Sequence, residues 1–140
     1  MVGKTKPATV AEKKRMSLIK EQAWCIPCIL NGTPNRSSTT IHHPVSGNKR
    51  TGQSMGLCSW HHLGQNPGNL TRFEAQKMLG PSLALSKKAY LFTWGEEDVL
   101  VKLQDFIISN FEKNPWNQYN MPRDVQYDIK RRWQELLKIR

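Results

Sequence analysis

Residues 57–62 read Leu57-Cys58-Ser59-Trp60-His61-His62, downstream of Cys25-Ile26-Pro27-Cys28 and of Thr39-Thr40-Ile41-His42-His43-Pro44. The C-x-x-C spacing lets two thiolates on one tight turn reach a shared metal ion. A redox dithiol has the same spacing. The second pair, Cys58 with His61, favours metal: Cys25, Cys28, Cys58 and His61 make a tetrahedral zinc set of three thiolates and one imidazole. Zinc would stabilise a small, turn-rich module that cannot bury enough surface by itself. The plainer alternative is three unliganded thiols beside surface histidines.

All four histidines of the chain fall in two adjacent pairs, His42-His43 and His61-His62. If His61 joins the zinc, three are left. Two end a strand predicted over 39–43, and His62 begins a helix predicted around 58–63. A β-hairpin packed on that helix brings them together. Such a cluster suits metal-assisted phosphodiester cleavage, in which a divalent ion clamps the scissile phosphate and a neutral imidazole takes a proton from water.

The rest of the chain is compatible with that chemistry. Its 140 residues fit one domain with tails, and its formal charge is +10, from 21 Lys and Arg against 11 Asp and Glu. That balance favours a polyanionic partner. No apolar run approaches the roughly 18 residues of a membrane helix. The basic start, Met1 to Pro7, has no apolar stretch after it and is not a secretory signal. Three cysteines do not form a disulfide scaffold, which points to a reduced, cytosolic chain.

Basic residues gather at both ends, with Lys13, Lys14 and Arg15 near the first and Arg131 and Arg132 near the second. They are either solvated ends or a grip on phosphates beside the central site. Lys49 and Arg50 lie between the histidine pairs, where a guanidinium can hold a phosphate by two hydrogen bonds; ordinary hairpin charge is the alternative. Trp24 and Trp60, next to zinc ligands in sequence, are expected to shield the metal.

Thr9 caps a helix predicted over 8–22, and 24–35 reads as turns because of Pro27, Asn31-Gly32 and Pro34. Ser46-Gly47-Asn48 is a turn, and 54–57 is the return strand, weakened by Gly56. Helices follow over 71–79 and 86–93. Leu100, Leu103, Ile107 and Phe111 then mark one face of an amphipathic helix, as do Val125, Ile129, Trp133 and Leu136 in a last one.

These motifs resemble the HNH, or ββα-metal, nucleases. They look most like the recombination enhancement nucleases of phages, which depend on RecA. The similarity rests on Cys25-x-x-Cys28 after a basic helix, Ile41-His42-His43, Ser46-Gly47 with Arg50, and Leu57 to His62. It continues through Tyr90 to Glu97, like that family's aromatic-Gly-x-Glu segment before a Leu-rich helix. The resemblance implies an α+β fold with a small zinc-stabilised ββα core surrounded by helices. It divides the chain into a basic lead (1–13), a nuclease domain (14–111) and a basic helical extension (112–140).

By the same resemblance, His43 is the general base, and His42 and His62 hold a catalytic ion (magnesium, manganese or zinc). Cys25, Cys28, Cys58 and His61 hold structural zinc. His61 and His62 can exchange roles, since C-x-x-H and C-x-x-x-H both fit a zinc knuckle. The family's orienting Asn has no clear counterpart; Gln53 lies nearest by spacing. Asn66 is a further ligand if the helix persists that far.

The implied partners are DNA and a RecA filament, and the setting is phage or prophage recombination in a bacterial cytoplasm. A non-catalytic zinc module binding nucleic acid or protein is the rival, but it leaves three histidines unexplained. A disulfide oxidoreductase is disfavoured, because no thioredoxin-like βαβ pattern surrounds Cys25 and Cys28.

Overall fold

A computed structural model of the chain describes residues 7–33, 35, 38–44, 53–116 and 121–139. Its elements run α1 (Val10–Glu21), α2 (Ile26–Asn31), β1 (Thr39–His42), β2 (Met55–Cys58), α3 (Ser59–Leu63), α4 (Arg72–Leu79), α5 (Lys87–Trp94), α6 (Glu97–Lys113) and α7 (Arg123–Ile139). The fold is mixed α+β, with one two-stranded antiparallel sheet and several helices. Among the described residues no helix is long and apolar enough to cross a membrane.

Local chemistry starts three of the helices where the sequence predicts. Thr9 and Glu12 close a reciprocal capping box at α1, and Thr71 and Glu74 do the same at α4. The Ser86 hydroxyl accepts from the Ala89 amide at α5. The segment 24–35, read as turns, contains the helix α2 instead. Pro27 falls in its first turn, where a missing N–H costs nothing and a fixed φ assists helix entry. The predicted turn at 46–48 lies outside the described residues.

The sheet register pairs Thr39 with Cys58, Thr40 with Leu57 and His42 with Met55. Gly56 sits inside β2 because nothing larger fits. A Cβ there would lie 2.0 Å from the Trp24 carbonyl oxygen and 2.6 Å from the Ile19 side chain. Its amide donates to the buried Gln104 side chain of α6 over 3.0 Å.

The main core is built from α1, α2, both strands, α5, α6 and α7, with Ile19, Leu57, Tyr90, Leu103, Ile107 and Ile129 fully buried. Both helical stripes read from the sequence therefore face the core. Trp24 belongs to this core, stacked edge-on with Phe111 at 5.3 Å, rather than to the cysteine cluster. Trp60 does pack with Cys25, Cys28 and Cys58, as expected of a shield. Arg15 ties α1 to the start of β2 and to α6: it donates to the Ser54 hydroxyl and carbonyl oxygens and pairs with Asp105.

Candidate metal and nuclease site

The junction of β2 and α3 separates two groups of side chains. Cys58 ends β2 and caps α3, so residues 61 and 62 stand one turn later on adjacent faces of that short helix. His61 turns inward and is fully buried. His62 turns toward β1.

The inward group is Cys25, Cys28, Cys58 and His61, whose donor atoms all lie within 4.8 Å of one another. The His61 Nδ1 atom is 3.4, 3.6 and 3.2 Å from the Sγ atoms of Cys25, Cys28 and Cys58, and the Cys28 and Cys58 sulfurs are 3.8 Å apart. A tetrahedron with zinc–sulfur bonds of about 2.3 Å has edges of about 3.8 Å, slightly less toward nitrogen. The donor set therefore fits zinc in identity, number and spacing, and could hold a structural ion. Burial pushes the Cys25 thiol up, while hydrogen bonds from Cys25 and Cys28 push Cys58 far down. A cation would relieve this conflict by letting all three become thiolates. The His61 ring also meets the edge of Trp94, centroids 5.8 Å apart.

The outward group forms on one face of β1. Side chains two apart on a strand share a face, so Thr40 and His42 point together while Ile41 turns to the core. His62 meets both: its Nδ1 is 2.6 Å from Thr40 Oγ1, and its ring centroid is 5.2 Å from that of His42. His43 follows the strand immediately. Burial, then the charges of His42 and His43, pushes the His62 imidazole below its ordinary value, so it stays neutral near pH 7.

The first residue of α6 reaches into this group. Glu97 Oε1 lies 2.7 Å from His42 Nε2, and both side chains are largely sheltered. The His42 and His62 rings thus stand edge to face, each with one nitrogen held by a neighbouring oxygen, from Glu97 and Thr40 respectively. Among the described residues, the Cys3His set is the one group of three or more such donors drawn within 4.8 Å.

Residues 8–108 match the family model described as recombination enhancement, RecA-dependent nuclease. The chain belongs to that family. No curated protein and no solved structure matches it. The region matched to the RecA-dependent nucleases holds the cysteine cluster, all four histidines, Thr40 and Glu97, and ends within α6. The whole of α7 lies beyond it.

Asn66 is exposed in a loop, because α3 stops at Leu63 and Gly64 turns the chain at φ +73°; it does not share a helical face with His62. Gln53 is half-buried in a bend before β2. Lys49 and Arg50 lie outside the described residues. Lys13, Lys14, Arg131 and Arg132 are exposed, whereas Arg15 is engaged by Ser54 and Asp105. The Arg131 guanidinium stands 6.0 Å over the Tyr127 ring.

Sequence reasoning missed Glu97 and Thr40 as members of the site. In the sequence Glu97 only closes the aromatic-Gly-x-Glu segment before the Leu-rich helix. Its pairing with His42 spans 55 residues and leaves no local signal.

Proposed function

We propose that this protein is a metal-dependent DNA endonuclease of the HNH class, acting in recombination with a RecA filament. The observation that carries the reading is the outward cluster of His42 and His62, with His43 beside it, next to a Cys3His group that needs none of them. The order β1, β2, α3 supports a ββα core, and the family's description names a RecA-dependent nuclease. A zinc module alone gives these histidines no task.

In this reading His43 accepts the proton of the attacking water. His42 and His62 hold one divalent ion, whose charge would stabilise the scissile phosphate and the departing oxygen. Cys25, Cys28, Cys58 and His61 bind zinc and fix the angle between α3 and the hairpin. Residues 14–111 form the nuclease domain, between a basic lead and a basic helical extension. Exposed Lys13, Lys14, Arg131 and Arg132 contact phosphates without reading bases.

The test is nicking of supercoiled plasmid by wild type and His43→Ala, with magnesium or manganese, with and without RecA filaments. Metal-dependent nicking that disappears in the variant is expected, with the filament required for full rate. Intact DNA binding without cleavage by wild type under every condition would overturn the enzyme in favour of a zinc-binding module.

A further inference from the structure

The two histidines proposed to hold the ion each have a partner that fixes one ring nitrogen. A carboxylate only accepts hydrogen bonds, so the 2.7 Å contact from Glu97 requires a proton on His42 Nε2. A neutral His42 then carries its lone pair on Nδ1. The second case turns on one hydrogen. The Thr40 hydroxyl donates to the Leu57 carbonyl oxygen over 3.0 Å, and that carbonyl cannot donate in return. Its hydrogen spent, Thr40 Oγ1 accepts from His62 Nδ1–H at 2.6 Å. The lone pair of His62 is left on Nε2.

We propose that Glu97 and Thr40 are positioning residues of the nuclease site, turning Nδ1 of His42 and Nε2 of His62 toward the ion. The inference rests on the reading that these two histidines hold a cation. Both partners are built for the task. Glu97 is the first residue of α6, a rigid helix whose next turns are anchored in the core by Leu100 and Leu103. Thr40 stands opposite Leu57 in the sheet, so its hydroxyl is placed by the strand register itself. Such partners raise ligand basicity and lock ring orientation, and their loss commonly weakens metal binding about 10- to 100-fold.

The experiment measures manganese affinity by calorimetry on the zinc-loaded full chain, with zinc content and melting as controls for folding. The variants are Glu97→Ala, Glu97→Gln, Thr40→Val and Thr40→Ser. Glu97→Ala and Thr40→Val are expected to weaken binding by about tenfold or more. Glu97→Gln and Thr40→Ser, which keep an acceptor oxygen, restore most of it. Nitrogen NMR of the manganese-free protein should find Nε2–H on His42 and Nδ1–H on His62.

Unchanged affinity in Glu97→Ala and Thr40→Val would overturn the proposal, as would the opposite tautomers. Equal losses in Glu97→Gln and Glu97→Ala would make Glu97 a direct ligand instead. The expected tautomers and manganese binding in a wild type that never nicks DNA would remove the nuclease reading and leave the positioning intact.

Discussion

His61 Nε2 lies 2.7 Å from the carbonyl oxygen of Leu79, the last residue of α4. A carbonyl only accepts, so His61 donates there and presents Nδ1 to the three sulfurs. His61, and not His62, stands with the three cysteines in a group that could hold zinc.

Zinc should therefore be found at one ion per chain in wild type and in His62→Ala, and be lost from His61→Ala. Native mass spectrometry reads this directly. Structural zinc contributes about 10 kcal/mol or more in small domains, comparable with the whole stability of an ordinary fold. Chelation should accordingly unfold the hairpin and α3, seen as a fall in melting temperature and loss of near-UV signal from Trp60.

Gly56→Ala tests the seating of the hairpin on α1. The added methyl would meet backbone, the Trp24 carbonyl, which has no rotamer to escape into. Strand, carbonyl and Ile19 must all shift, at about 3 kcal/mol or more. Urea unfolding of the zinc-loaded protein measures it; a loss below about 1 kcal/mol would show that β2 moves more easily than its packing suggests.

Much of this architecture is legible in the sequence where the cause is local. Thr9, Thr71 and Ser86 announce their helices because a cap acts within three residues. The C-x-x-C and C-x-x-H pairs reach one metal set because each pair folds on itself. The helix α2 was hidden by Pro27, whose sense reverses between a helix's first turn and its middle. Gly56 reads as a weak strand residue until the Trp24 carbonyl appears against it. The Glu97 contact with His42 and the Thr40 contact with His62 depend on tertiary placement, and no spacing rule reports them.

Acid should loosen α4 before it reaches the core. The Glu74 carboxylate accepts the Thr71 amide over 3.0 Å, and the Thr71 backbone bond, then its hydroxyl, holds Glu74 below its ordinary value of 4.5. A carboxyl held down on folding contributes stability above that ordinary value and loses it as pH falls through the folded value. Because α4 ends on the Leu79 carbonyl that holds His61, the loss should appear as faster zinc release below about pH 4.5. Glu74→Gln keeps an oxygen but carries no charge, so its zinc release should depend less on pH over that range. Stopped-flow release to a colorimetric chelator compares the two.

Tyr90 offers a test in the opposite direction. Its ring is fully buried in the core, yet its hydroxyl has no hydrogen-bond partner among the described residues, and burial pushes its pKa well up. The neighbouring charges acting on it come from Cys25, Glu97 and Cys58, so the hydroxyl sits in the electrostatic reach of both the cysteine set and the His42 partner. A buried hydroxyl without a partner costs about 1–3 kcal/mol of lost hydration. Tyr90→Phe removes that cost and keeps the ring, so it should raise stability by about 1 kcal/mol in urea unfolding, with zinc content unchanged. Destabilisation of similar size would mean that the hydroxyl donates in solution, and the natural acceptors are then a cysteine sulfur or the Glu97 carboxylate. Zinc release separates these acceptors: a lost bond to sulfur quickens it, whereas a lost bond to Glu97 leaves it unchanged and weakens manganese binding instead.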